Sequence, residues 1–395
     1  MTLADASSAG EVLRLIRSGQ AATRNELMAA TGLSRSTVLQ RLGLLATAGL
    51  LADGTARGPS SGGRPPAALA FNETAGVVLG ADLGATHGRL AVCDLAGRTL
   101  AEREEPIRIA DGPEPVLAWA RALFATLIAE AGRGPDAVLG VGIGVPGPVD
   151  VARGRPVSPP IMPGWEDHPV ADELAAHFGA PVLLERDVQA MALGEHRAHF
   201  RDLRDMVFVK VATGIGAGII ADGHVLQGSH GRAGDIGHIR SIAASDVLCS
   251  CGNHGCVGAV ASGSAIVRQL CEAGYEVASS HDVVELVRAG DAGATHHVRE
   301  AGRVLGVALA AVVSIVAPTG LVIGGDMAGA SEPLIAGIRE SVYQRSSPLA
   351  TQELRILTSR LGTRAGVVGA TTLALEHLLA PSSVDALLAR RALAA

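Results

Sequence analysis

VVLGADLGATHGRLAVCDL (residues 77–95) and MVFVKVATGIGAGIIADG (206–223) decide the fold between them. Each reads as an apolar strand, a turn carrying Gly and Thr, and a second apolar strand. The stretches lie roughly 130 residues apart, and such a repeat predicts a duplicated α/β fold with two lobes. In each turn the glycines allow backbone N–H groups to face a phosphate, as glycine loops do elsewhere.

Upstream of the first stretch the texture is helical. Residues 10–18 place Val12, Leu13, Leu15 and Ile16 on one face. Thr23 can cap a second helix, Arg24–Ala30, with Glu26 at the capping-box position. After the turn Thr31-Gly32-Leu33, Ser34 caps a third helix with Val38, Leu42 and Leu45 inward and Arg35, Ser36, Thr37, Gln40 and Arg41 outward. Helix, short turn and helix with a polar, partly basic leading end is the pattern that enters a DNA major groove. The following Gly/Pro/Ser/Arg stretch predicts a β-wing, with Arg64 as a cation that can approach phosphates or a minor groove. Residues 1–75 are therefore expected to form a winged helix-turn-helix. Their seven arginines against five acids make them mildly basic inside a chain of net charge −6.

The length, 395 residues, predicts two or three domains, and 48% apolar with 18% charged residues suits a globular protein. Positive charge is almost wholly arginine. Lys210 is the only lysine, read here as a codon-composition bias without functional weight. The start of the chain lacks a secretory pattern and no apolar run reaches a membrane span, so a cytoplasmic protein without a membrane partner is expected. Three of the five cysteines crowd within eight residues, which points to metal ligation in a reducing compartment.

That cluster is His238, Cys249, Cys251 and Cys256, spaced H-x10-C-x-C-x4-C. Three thiolates and an imidazole suit tetrahedral Zn²⁺, and four protein ligands leave no open position, so a structural zinc is expected. Cys93 and Cys271 lie outside it and are expected to be small core residues.

Gly228–His238 reads G-x-x-G-x-A-G-D-I-G-H, and Cys249–Cys256 reads C-x-C-G-x-x-G-C. Together they resemble the ROK family of repressors, open reading frames and sugar kinases, over residues 76–380. The winged helix-turn-helix before them matches the repressor branch. The resemblance implies an actin-like, ribonuclease-H-like two-lobed fold, a bound zinc, homodimers or homotetramers, and a sugar pocket between the lobes. It places Arg186, Asp187, Asp235, His238 and Gly147 at that pocket. Asp82, Gly84, Thr86, Thr213, Gly214, Gly216, Gly324 and Gly325 fall in its nucleotide loops. Residues 381–395 follow as a terminal helix without an assigned purpose.

The family's kinases use an Asn-Asp pair whose Asp takes the sugar proton. Here Asp187 is kept and Arg186 replaces the Asn. An Asp at a helix start also serves as a plain N-cap. The family's Glu is Asp235, and the carboxylate expected after Cys256-Val257 is Gly258. Ala85 and His87 replace a glycine and a lysine in the first loop, whereas Thr213–Gly218 is intact. Asp326 follows Gly324-Gly325 where a glycine is usual. Phosphoryl transfer depends on positioning and charge, so these losses predict a sensor with Asp187 a weak or vestigial base. An ATP-dependent hexose kinase using ATP and Mg²⁺ is the alternative. Arg186 also suits an anionic sugar derivative. Trp165, ending a Pro-Gly-Trp loop, either stacks on a sugar or anchors the core. The expected function is a DNA-binding regulator of carbohydrate genes, a repressor on operator DNA, with a sugar or sugar derivative as effector.

Overall fold

The computed structural model describes residues 8–54, 68–241 and 246–394. Helix α1 (Ala9–Arg17) begins where Ser8 accepts the Glu11 N–H. Helix α2 (Arg24–Thr31) carries the reciprocal Thr23–Glu26 capping box and ends at Gly32, whose φ of 71° suits a residue without Cβ. Helix α3 (Arg35–Thr47) is capped by Ser34 and buries Val38, Leu42 and Leu45. Strands β1 (Leu51–Gly54) and β2 (Ala68–Phe71) then pair antiparallel. They frame the expected wing, and Arg64 lies outside the described residues.

The first sheet comprises β3 (Val77–Leu83), β4 (His87–Asp94), β5 (Thr99–Pro106), β6 (Val138–Val145) and, after a short hairpin of β7 (Val149–Asp150) and β8 (Arg155–Pro156), β9 (Val182–Arg186). Helix α4 (Pro113–Glu130) precedes β6, and α5 (Val170–Phe178) precedes β9. The order is β5-β4-β3-β6-β9. β3 is buried at every position, as a continuous apolar run inside a two-faced sheet must be.

Helix α6 (Asp187–His199) leads into the second sheet, built from β10 (Met206–Val211), β11 (Ile215–Ala221), β12 (His224–Val225), β13 (Gly320–Gly324) and β14 (Arg355–Thr358). Its order is β12-β11-β10-β13-β14. In both sheets the first three strands in sequence are antiparallel neighbours and the last two add in parallel. The repeated hairpins are therefore the visible part of a duplicated sheet. Between β12 and β13 lie α7 (Gly258–Ala261), α8 (Gly263–Glu272), α9 (Ser280–Arg288) and α10 (Ala292–Val316), and α10 packs along α11 (Ser331–Arg345). A short α12 (Pro348–Thr351) precedes β14. No helix among the described residues is long and apolar enough to cross a membrane.

The lobes are joined by crossing helices. α6, which follows the first sheet, packs on β10 and β11 of the second. α13 (Ala365–Leu378), which follows the second sheet, packs on β3 and β6 of the first and lies against α6. A Cβ at Gly369 would stand 1.7 Å from the Ala190 carbonyl oxygen, so only glycine permits this approach.

The last helix, α14 (Pro381–Ala394), docks on α1. Asp385 accepts the Gly10 N–H at 2.9 Å, and Arg17 donates to the Leu379 carbonyl. Val12, Leu13, Leu27 and Leu45 share one core with Val78, Leu378, Val384 and Leu388. The terminal helix, without a purpose in the sequence, is thus part of the structure that holds the helix-turn-helix.

Candidate ligand cleft and metal centre

The carboxyl ends of the two sheets converge on one cleft. Asp82 is the penultimate residue of β3, Asp187 starts α6, Lys210 is the penultimate residue of β10 and Asp326 follows β13. Parallel pairing sets Asp82 beside Gly144, and a Cβ at Gly144 would lie 3.7 Å from Asp82 Oδ1 and 3.4 Å from the Asp187 Cα. The first turn of α13 closes the other side, where a Cβ at Gly366 would lie 2.0 Å from Asp82 Oδ2. Burial pushes the Asp82 carboxyl up to about 6, against the pull of Lys210.

Asp187 is the first residue of α6, and Arg186 occupies the cap position without a side-chain capping bond, so Asp187 is not the N-cap. Its Oδ1 accepts the Val188 N–H at 2.7 Å, and its Oδ2 accepts from Lys210 Nζ at 2.6 Å. Burial opposes the Lys210 charge, but Asp187 and Asp82 outweigh it and hold the ammonium above its ordinary range. Arg186 Nη2 donates to Asp235 Oδ1 at 2.9 Å, while its buried Nη1 has no hydrogen-bond partner among the described residues. Beneath this pair Glu185 accepts from Gln227 and from the Arg186 N–H, and burial raises its pKa.

Glu185 and Gln227 belong to no motif in the sequence, and the expectation that Lys210 has no functional weight does not fit its place here. Lys210's signal was its solitude: one ammonium in an otherwise apolar strand. The first loop also differs from expectation. The Gly84 N–H donates to the His87 carbonyl at 2.8 Å, closing the turn, and the His87 ring lies over Gly84. Thr86, Thr213 and Gly214 are exposed, Gly216 is buried in β11, and Gly324-Gly325 passes tightly under Phe208 and Val211. Gly147 packs against Pro159 and Met162, the closest contacts a Cβ there would meet.

Trp165 is fully buried and its Nε1 donates to the Ile109 carbonyl, so of its two readings the core anchor is the one observed. Cys93 is buried, but Cys271 is exposed and not the core residue expected. On α8 the inward residues are Ala265, Ile266 and Leu270, which turns position 271 outward.

Gly234, with φ 88°, lets the Gly228–His238 segment lie against β11, where a Cβ would stand 1.9 Å from the Ala217 oxygen. The segment carries Asp235 to Arg186 and His238 to the cysteines. One donor atom from each of His238, Cys249, Cys251 and Cys256 lies within 4.8 Å of all the others. His238 Nδ1 and Cys249 Sγ are 3.6 Å apart, and Cys251 and Cys256 Sγ 3.7 Å. A tetrahedron with metal–sulfur bonds of about 2.3 Å puts its sulfurs about 3.8 Å apart, so the four donors fit a tetrahedral ion. The backbone N–H of Asn253 holds the Cys251 thiol down to about 6, whereas burial pushes Cys256 up to about 12.

At the other end of the molecule, α3 exposes Arg35, Ser36 and Gln40, with Thr37 and Arg41 half-buried. The Ser36 and Thr37 hydroxyls both meet Ser34 Oγ at 2.9 Å.

Residues 78–377 match the ROK family model. A xylose repressor of Caldicellulosiruptor bescii is 27% identical over 93% of this chain and 95% of its own length. A solved ROK family transcriptional regulator, a homologue of the E. coli MLC protein, aligns over 98% of this chain and 99% of its own with TM-score 0.81 and 28% identity. A ROK glucokinase from Streptomyces griseus, solved with glucose and AMPPNP, covers 76% of this chain and 99% of its own at TM-score 0.64 and 29% identity. The repressor and regulator extend over the helix-turn-helix as well as the lobes, and this chain belongs to the ROK family.

Proposed function

We propose that the chain is a transcriptional repressor of carbohydrate genes, relieved by a sugar or sugar derivative that binds between the lobes. The observation that carries this reading is the path of α13. It starts against Asp82 in the cleft and ends in the core shared by α1 and α14. A change of lobe angle at the cleft therefore moves the element on which the DNA-reading helices rest. Arg35, Ser36, Thr37, Gln40 and Arg41 meet base edges and phosphates, with Arg64 on the wing. A homodimer or homotetramer sets the spacing of two such units on a pseudo-palindromic operator.

Asp187, Asp235, His238 and Arg186 face the sugar, and Gly147 shapes the pocket edge. Arg186 Nη1, buried without a partner among the described residues, offers its donor to a ligand oxygen. His238, Cys249, Cys251 and Cys256 hold a structural Zn²⁺. A zinc held by these four residues would fix the wall that carries His238. The ligand acts only by its preference for one lobe arrangement, and a few kilocalories per mole of preference suffice.

The competing reading is an ATP-dependent sugar kinase, supported by the intact Thr213–Gly218 loop and by the family's kinases. Engagement of both Asp187 oxygens by Val188 and Lys210 counts against it. Fluorescence anisotropy on DNA from upstream of the gene tests the regulator. The panel begins with xylose and glucose and continues through sugar acids and sugar phosphates. Specific binding that one of them shifts supports it, and ADP release on mixing a sugar with ATP would overturn it.

A further inference from the structure

Lys210 stands between the two glycine loops. Antiparallel pairing sets it opposite Gly216, and parallel pairing sets it opposite Gly324. Both neighbours lack a side chain, so the ammonium has room to reach inward. It is half-buried, bonded to Asp187 at 2.6 Å, and under the charge of Asp82 and Asp326. Two of these carboxylates come from the first lobe and one from the second.

Carboxylates gathered at converging strand ends can chelate a hard divalent cation, and here Asp82 and Asp187 meet around Gly144; Mg²⁺ demands near-octahedral oxygen geometry to bind at all. Here the chain supplies its own cation. We propose that Lys210 takes the place of a divalent metal in this cleft. The cleft accordingly closes on its ligand without Mg²⁺ and does not accept a metal–nucleotide complex. ATP and Mg²⁺, which the family implies, do not fit these residues. The first loop agrees, since the Gly84 N–H is held by His87 and not offered to a phosphate. Arginine, the cation used everywhere else in the chain, would be too long and too broad for a slot flanked by two glycines. A lysine ammonium is a compact point charge and can occupy an ion's position.

This inference goes beyond the regulatory reading and depends on the cleft alone, so operator binding by the same proteins tests that reading separately. A chain with one lysine permits a direct measurement. Full-length zinc-loaded protein labelled with ¹⁵N-lysine carries a single side-chain Nζ, and Mn²⁺ serves as a paramagnetic probe. The expected result is an Nζ signal that persists in excess Mn²⁺. Its disappearance on adding Mn²⁺, with recovery on adding Mg²⁺, would place a metal beside Lys210 and overturn the proposal. In the converse arm, Lys210→Thr removes the ammonium and should create a Mn²⁺ site at least about tenfold tighter than any in the wild type. That site should vanish in Lys210→Thr/Asp187→Asn. A folded Lys210→Thr protein, by circular dichroism, that gains no site would equally overturn it. Should that variant fail to fold, the wild-type Nζ signal still decides.

Discussion

Asp82→Asn tests the electrostatics of the cleft through the pH dependence of stability. The Asp82 carboxyl is buried, and its pKa of about 6 stands above the ordinary 3.8. The folded protein therefore binds this proton more tightly than the unfolded chain does. Unfolding releases it between those values, and stability falls as pH rises through that window. The difference of about two units corresponds to about 3 kcal/mol lost above pH 6. About 1.4 kcal/mol of this develops between pH 5 and 8. Asparagine keeps the shape but cannot ionise. The attraction to Lys210 belongs to the ionised carboxyl alone and is already contained in the pKa of about 6. The informative quantity is the change with pH of the stability difference between variant and wild type, in which titration of the metal ligands cancels. Urea unfolding followed by circular dichroism at pH 5, 6, 7 and 8 should show Asp82→Asn improving relative to wild type by about 1–1.5 kcal/mol across the series. A difference that stays flat, or that moves against the variant as pH rises, would refute a buried carboxyl with a raised pKa.

Cys251→Ser should lose the bound metal, measured as zinc per chain, and lower the melting temperature by more than chelation lowers that of the variant itself. Arg35→Ala should weaken operator binding by roughly 5- to 150-fold, the worth of one base contact of about 1–3 kcal/mol, with sugar affinity by calorimetry unchanged. Val384→Ala removes two methyl-sized groups from a fully buried site, about 2 kcal/mol. Hydrogen exchange should accelerate in α1 and α14 and stay as it was in α10.

Local signals were legible in the sequence because their physics is local. The Thr23–Glu26 capping box, the Ser34 cap and the α3 core residues each involve atoms within a few positions. The metal donors were legible for a related reason, since thiolates and imidazole have few other uses in such a cluster. The duplicated hairpins announced the two sheets. The engagement of Lys210 was not legible, because its partner Asp187 stands 23 positions away on the helix that joins the two sheets. The letters around Trp165 suit a sugar platform or a core anchor equally, and only the position of the Ile109 carbonyl separates them. Arg186 pairs with Asp235, 49 positions on, a contact that no local signal announces.

The contact between the first helix and the last has a consequence for biosynthesis. Gly10 and Asp385 are separated by 375 positions. A ribosome adding 5–20 residues per second therefore takes roughly 20–75 s to deliver the partner of α1. Throughout that interval the helix-turn-helix lacks Val384 and Leu388 in its core. The core of the helix-turn-helix is thus completed only after both lobes and the cleft between them have been synthesised.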